Sequence, residues 1–168
     1  MKKLIYLTTK EKEEKIKRQR VVIDNENWEF NDEELEPLYQ YNIINSKPEQ
    51  SIMYKRMLQQ INRKIHGYKS QDKEKGLFNE TDFIQLNSII DLINDCQCKC
   101  FYCKQLVYIL YKHVREPKQW TLERIDNDIG HNEGNVKIAC LECNLRRRTM
   151  YHERFVFTKQ LQIIKKDI

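Results

Sequence analysis

The chain has 168 residues, room for one domain or for one small domain with an appendage. Hydrophobic residues make up 40% and charged residues 33%, and the mean hydropathy is −0.79, which suits a soluble protein with a modest core. No run of about 18 apolar residues occurs, so no membrane span is expected, and the apolar residues near Met1–Tyr6 are too few for a signal peptide.

An intracellular location is expected by default: cytoplasm or nucleus or, for a viral protein, the replication site or virion. In such compartments the six cysteines are expected as metal ligands or free thiols rather than disulfides. The net charge of +5 is unevenly spread. Residues 1–50 hold 9 Lys/Arg against 11 Asp/Glu, whereas residues 51–168 hold 21 against 14. A basic C-terminal body points to a polyanionic partner such as nucleic acid.

In chain order, residues 8–20 (TTKEKEEKIKRQR) have almost no apolar face and read as a solvated arm. Residues 21–50 scatter Trp28, Phe30, Leu35, Leu38, Tyr39 and Tyr41 among carboxylates, a loosely folded lead-in. From Glu49 to about Tyr68, Ile52, Met53, Met57, Leu58, Ile61 and Ile65 recur at helical spacing. Gly67 and Gly76 then bracket a polar linker. A second helix is predicted over 81–95, with Thr81 as N-cap and Phe83, Leu86, Ile90 and Ile93 on one face.

The character then changes. Residues 99–111 (KCFYCKQLVYILY) are aromatic and β-branched around a CxxC turn, the pattern of a zinc-knuckle hairpin. Residues 119–126 (QWTLERID) form a second predicted strand, Gly130 and Gly134 mark a loop, and 135–139 make a third strand. Residues 144–154 read as a strongly basic helix. A last helix over 155–166 is expected to turn Phe157, Leu161 and Ile164 toward the body.

Cys100 and Cys103 form one CxxC, Cys140 and Cys143 another, with 36 residues between the pairs. Each tight turn offers two thiolates, and two turns complete a tetrahedral structural zinc site. Four unligated core cysteines would not require paired spacing. Cys96 and Cys98 extend the first pair to CxCxCxxC, so Cys98 could compete for the first knuckle, but its spacing to Cys103 is wider than a standard turn and both are read as spare. Because the C-terminal half is small, zinc is expected to supply much of its folding energy.

Between and after the knuckles the chain reads WTLERID at 120–126, Gly130-His131, Asn135-Val136, and then CLECNLRRR at 140–148. An acidic residue on a strand, an Asn five residues before a CxxC and an Asn directly after it resemble the zinc-containing HNH (ββα-metal) endonucleases. Within them the segment is similar to the endonuclease VII branch and to HNH-like proteins of large DNA viruses and phages. The resemblance covers about residues 97–150. It implies a small ββα-metal zinc module in the C-terminal half, which together with the helical N-terminal region read above from apolar periodicity gives an expected α+β fold. The division expected is 1–48 as charged lead-in, 49–96 as helical region and 97–168 as the nuclease module.

The resemblance further implies a metal-dependent endonuclease that hydrolyses phosphodiester bonds, on branched or distorted DNA. Glu123 and Asn144 would ligate a catalytic Mg²⁺ or Mn²⁺, and Asn135 would orient the site. One departure matters: the family's general base is a His directly after the acidic residue, and here Arg124 stands there. A protonated guanidinium does not accept a proton from water. Asp126, two residues along, could activate water, or His131 could act as base. Alternatively Arg124 could clamp the phosphate while bulk hydroxide attacks. His66, His113 and His152 show no ligand spacing.

Arg146, Arg147, Arg148 and Arg154 crowd the basic helix, with Lys104, Lys112, Arg115 and Lys118 on the hairpin side. Beside a phosphodiesterase motif the three consecutive arginines are read as DNA phosphate contacts. The contrasting reading is a zinc-finger DNA-binding or interaction module with a decayed site, for which Arg124 is the argument. In either case the helical first half is expected to dimerise or to dock a protein partner.

Overall fold

The computed structural model describes residues 30–160. Helices α1 (Pro37–Ser46), α2 (Ile52–Glu74) and α3 (Leu86–Asp95) come first. Strands β1 (Trp120–Arg124) and β2 (Val136–Cys140) follow, and then helices α4 (Leu141–Arg147) and α5 (His152–Gln160). The architecture is therefore mixed α+β. The arm expected at 8–20 lies outside the described residues.

The lead-in is the first correction: part of it is a helix with a core contact. Pro37 presets the backbone of the first turn. Gln40 is fully buried, and its Oε1 accepts from Ile109 and Leu110 N–H, both at 2.8 Å, while Nε2 donates to the Leu35 and Leu110 carbonyls. A polar residue thus occupies a core position with all its hydrogen bonds made. No apolar periodicity announces such a helix.

Ser51 caps α2, its Oγ accepting from Tyr54 N–H at 3.3 Å. The helix runs on through Gly67 to Glu74, across what was expected as a linker. Gly67 lies in open space, so it costs only the propensity penalty, about 1 kcal/mol. What stops α2 is Gly76, at φ 69°. Leu77 N–H bonds back to Asp72 O at 2.8 Å and Gly76 N–H to Lys73 O at 3.1 Å, a Schellman end.

The third helix begins five residues later than expected. Thr81 turns back on Asn79 Oδ1 instead of capping a helix, and Phe83 bridges to Asn132. The strands pair antiparallel, with Trp120 opposite Cys140 and Glu123 opposite Lys137. The basic helix is also corrected: α4 starts inside the second CxxC, breaks at Arg148, which has φ 52°, and α5 begins at His152. In α5 it is Phe155 that is buried, whereas Phe157 is 65% exposed. Leu161 and Ile164 lie outside the described residues.

Buried residues from Ile44 on α1 to Phe155 on α5 form one continuous cluster, including Met57, Ile61, Ile89 and Ile93 from the helices and Trp120, Leu122 and Ile138 from the sheet. Helix α2 also closes the open edge of β1. Lys64 Nζ donates to Trp120 O, and Leu122 N–H donates to Tyr68 Oη at 2.9 Å. These residues are one turn apart on one face, so the helix supplies what a third strand would otherwise supply. Among the described residues no helix is long and apolar enough to cross a membrane.

Candidate functional site

The four expected cysteines converge. The sulfurs of Cys100, Cys103, Cys140 and Cys143 lie within 4.8 Å of one another, and Cys103 and Cys140 Sγ are 3.9 Å apart. Four thiolates at roughly 2.3 Å from a zinc ion are separated by about 3.8 Å, so the cluster fits a structural metal such as zinc. The first knuckle closes with Lys104 N–H on Cys100 O at 3.0 Å and Cys100 N–H on Gln105 O at 2.8 Å. Phe101 N–H then bonds Ile138 O at 2.8 Å, pinning this knuckle to β2.

Cys140 both ends β2 and caps α4, its Sγ accepting from Cys143 N–H at 3.4 Å. The sulfurs are close enough to couple: the hydrogen bond from Cys140 draws the Cys100 thiol down to about 4, while that same hydrogen bond, followed by burial, pushes Cys140 up. Cys96 and Cys98 stay outside the cluster, with Cys98 Sγ on Val107 O at 3.2 Å.

Beside this cluster opens a cleft of about 610 Å³ between α2, β1 and α4. Glu123, Arg124, His131 and Asn144 all line it, as do Arg63, Lys75 and Arg148. Glu123 is only 5% exposed. One carboxylate oxygen, Oε1, receives Arg147; the other, Oε2, is buried with no hydrogen-bond partner. Burial raises the Glu123 pKa, and the Arg147 guanidinium works against that rise. Asn144 donates through Nδ2 to Thr121 Oγ1 at 3.2 Å. It sits in the body of α4, not at its cap.

Arg147 is the clearest correction among the site residues. Expected at a DNA surface, it is 1% exposed. Besides Glu123, its guanidinium donates to the carbonyls of Arg124 at 2.5 Å, Ile125 at 2.9 Å and Met150 at 2.9 Å. It ties the end of β1 to the end of α4. Arg146 remains exposed and pairs with Glu142 at 3.3 Å, and Arg148 faces the cleft. On the hairpin side, Lys112 is paired with Asp32 at 3.0 Å.

The three base candidates separate. Strand β1 ends at Arg124, so Asp126 does not share its face. Asp126 is exposed, and its Oδ1 accepts from Asp128 N–H at 2.9 Å within its own turn. Arg124 folds its guanidinium onto the Asn127 and Ile129 carbonyls at 2.9 and 3.2 Å. His131 is 4% exposed and binds Asp72, a residue from α2. Asn135 staples the loop between the strands: it accepts from Asp126 N–H at 3.0 Å and donates to Asp126 O at 3.0 Å and Gly130 O at 2.9 Å.

Sequence reasoning missed Asp72, Tyr68, Arg63 and Lys75. The signal was helical continuity: 64, 68 and 72 form one row and 63, 67, 71 and 75 the adjacent one. Reading Gly67 as a breaker cut both rows short. Comparison with family models, with curated proteins and with solved structures gives no match.

Proposed function

We propose that this chain is a DNA endonuclease of the HNH type. A structural zinc would occupy the cysteine cluster, and a hard divalent cation, Mg²⁺ or Mn²⁺, would be held by Glu123 and Asn144. The observation that carries this reading is positional. The cysteine cluster sits where β2 becomes α4, and the same β1–β2–α4 unit puts Glu123 and Asn144 on one cleft rimmed by Arg63, Lys75, Arg124 and Arg148.

The residues present fit such a cation. Glu123 Oε2 is a buried oxygen with no partner, and Asn144 uses its amide nitrogen on Thr121, leaving a carbonyl oxygen. Two hard oxygens make a weak site, with water and phosphate to complete it. Bound there, the cation would stabilise charge growing on the scissile phosphate and the leaving 3′ oxygen. The chain's own groups do the rest. Arg63, Lys75 and Arg148 attract and position backbone phosphates. Arg147 fixes the Glu123 carboxylate, and Asn135 holds the loop that presents His131. Branched or distorted DNA remains the proposed substrate, by the same resemblance.

The experiment is a nicking assay on linear, nicked and four-way-junction DNA with Mg²⁺ or Mn²⁺, with binding measured in parallel. Glu123→Ala and Asn144→Ala should each lose about two to four orders of magnitude in cleavage rate, with zinc content and DNA affinity nearly unchanged. Both variants cutting at the parental rate would remove the metal from this place.

A second reading has its own support. With Glu123 Oε1 committed to Arg147 and Arg124 turned onto its own loop, the cleft would bind DNA without cutting it. A parent protein that binds DNA and cuts none of the three forms selects this reading.

A further inference from the structure

His131 and Asp72 meet across 59 positions of sequence, and the contact is tight. Asp72 is 0% exposed, His131 4%. One carboxylate oxygen of Asp72 takes the backbone N–H of His131 at 2.6 Å, and the other lies 2.8 Å from the ring Nδ1. The preceding residue must be glycine for this to happen. A Cβ on Gly130 would stand 2.5 Å from Leu77 O and 2.8 Å from Asp72 Oδ2. The Schellman end of α2 holds Asp72 from its other side, Leu77 N–H bonding Asp72 O at 2.8 Å.

The imidazole lies against Tyr68, ring centroids 4.5 Å apart, and Tyr68 Oη accepts from Leu122 N–H, the residue before Glu123. His131 therefore stands one aromatic ring from β1 and lines the cleft that Glu123 lines. With Nδ1 engaged, Nε2 is the nitrogen left for the cleft.

We propose that His131 is the general base of this site and that Asp72, from the helical region outside the cysteine module, is its positioning residue, holding the Nδ1–H tautomer so that the Nε2 lone pair faces the attacking water. This rests on the nuclease reading. In the step, Nε2 takes a proton from water as the water oxygen bonds to phosphorus and the P–O3′ bond breaks. The leaving oxygen takes a proton from solvent, giving a 5′-phosphate and a 3′-hydroxyl, and His131 returns its proton to solvent. A carboxylate fixing the opposite ring nitrogen is the general means of orienting a histidine base.

The surrounding charges agree with a base that is neutral at working pH. Burial, followed by the Arg124 and Lys75 charges, lowers the His131 pKa below 6.5, and Asp72 holds it up against them.

The test has two arms. The ¹⁵N shifts of His131 in the full chain should report Nδ1–H, with Nε2–H gaining population in Asp72→Asn; an Nε2–H ring in the parent overturns the proposal without any assay of activity. In the second arm His131→Asn, which keeps a side-chain donor for Asp72, should fold and bind DNA as the parent does. Its kcat should fall about 10²- to 10⁴-fold with KM unchanged, and the acid limb of the rate profile should disappear. Asp72→Asn should lower kcat and move that limb to lower pH, because the group that holds the pKa up is gone. If the parent cuts and His131→Asn cuts with the parental kcat and pH profile, the base is elsewhere while the nuclease reading stands. If the parent cuts no DNA form, both fall together.

Discussion

Within the Arg146–Arg148 run, three identical side chains have three different environments. Arg146 is exposed beside Glu142, Arg148 faces the cleft, and Arg147 is buried against Glu123 and three carbonyls. Composition cannot separate them. What separates them is the 100° step of a helix, together with the end of α4, which turns one arginine inward. Removing one partner of a buried ion pair leaves the other charge uncompensated, at about 3–5 kcal/mol. Arg147→Ala should therefore lower unfolding free energy by about that much in a urea titration. Arg146→Ala should stay within about 0.5 kcal/mol of the parent. Equal effects of the two substitutions would contradict the buried pairing. On the proposed nuclease reading, Arg147→Ala should also lower cleavage by freeing the Glu123 carboxylate, so the activity of that variant would read position as well as stability.

Helix α2 belongs both to the core and to the cleft. Its inner row, Lys64, Tyr68 and Asp72, docks on β1 and on the His131 loop. The adjacent row places Arg63 and Lys75 along the cleft. If DNA lies there, each cation neutralises about one phosphate, and each lost contact lowers the slope of log affinity against log salt by about 0.9. The double variant Arg63→Ala, Lys75→Ala should thus flatten the slope by about two units, with thermal stability kept. An unchanged slope would take Arg63 and Lys75 out of the proposed DNA surface. The four-cysteine cluster, both strands and the order β1, β2, α4 were legible in the sequence, because paired cysteines and alternating strands are local patterns. The Asp72–His131 contact, the Gln40 clamp and the inward turn of Arg147 were not. Each joins residues that are distant in sequence through a polar side chain in the core, and hydropathy periodicity carries no record of such pairings.

At the scale of the whole molecule, the decisive property is the single continuous core. Ile93 and Ile44 on the helices belong to the same buried cluster as Cys100, Cys140 and Ile138, and Phe101 N–H on Ile138 O joins a knuckle directly to β2. A structural zinc contributes about 10–16 kcal/mol to the state that holds it, against a net stability of about 5–15 kcal/mol for a domain. Removing zinc should therefore unfold more than the knuckles. Strand β1 would lose its partner, the hydrogen bonds from Lys64 and Tyr68 would lose their acceptor and donor, and α2 would be left without the surface that covers it. Most helix stability in a protein comes from that packing rather than from propensity, so the 23-residue α2 should melt with the module. The purified chain should contain one zinc by elemental analysis. Titration with a strong chelator should then show zinc release and loss of far-ultraviolet helical signal at the same chelator concentration. Readdition of zinc should restore both. Cys140→Ala should behave as the stripped protein does. A helical signal that survives complete zinc removal would make the helices an independently stable unit. A Cys140→Ala chain with the parental metal content and melting temperature would remove zinc from the cysteine cluster.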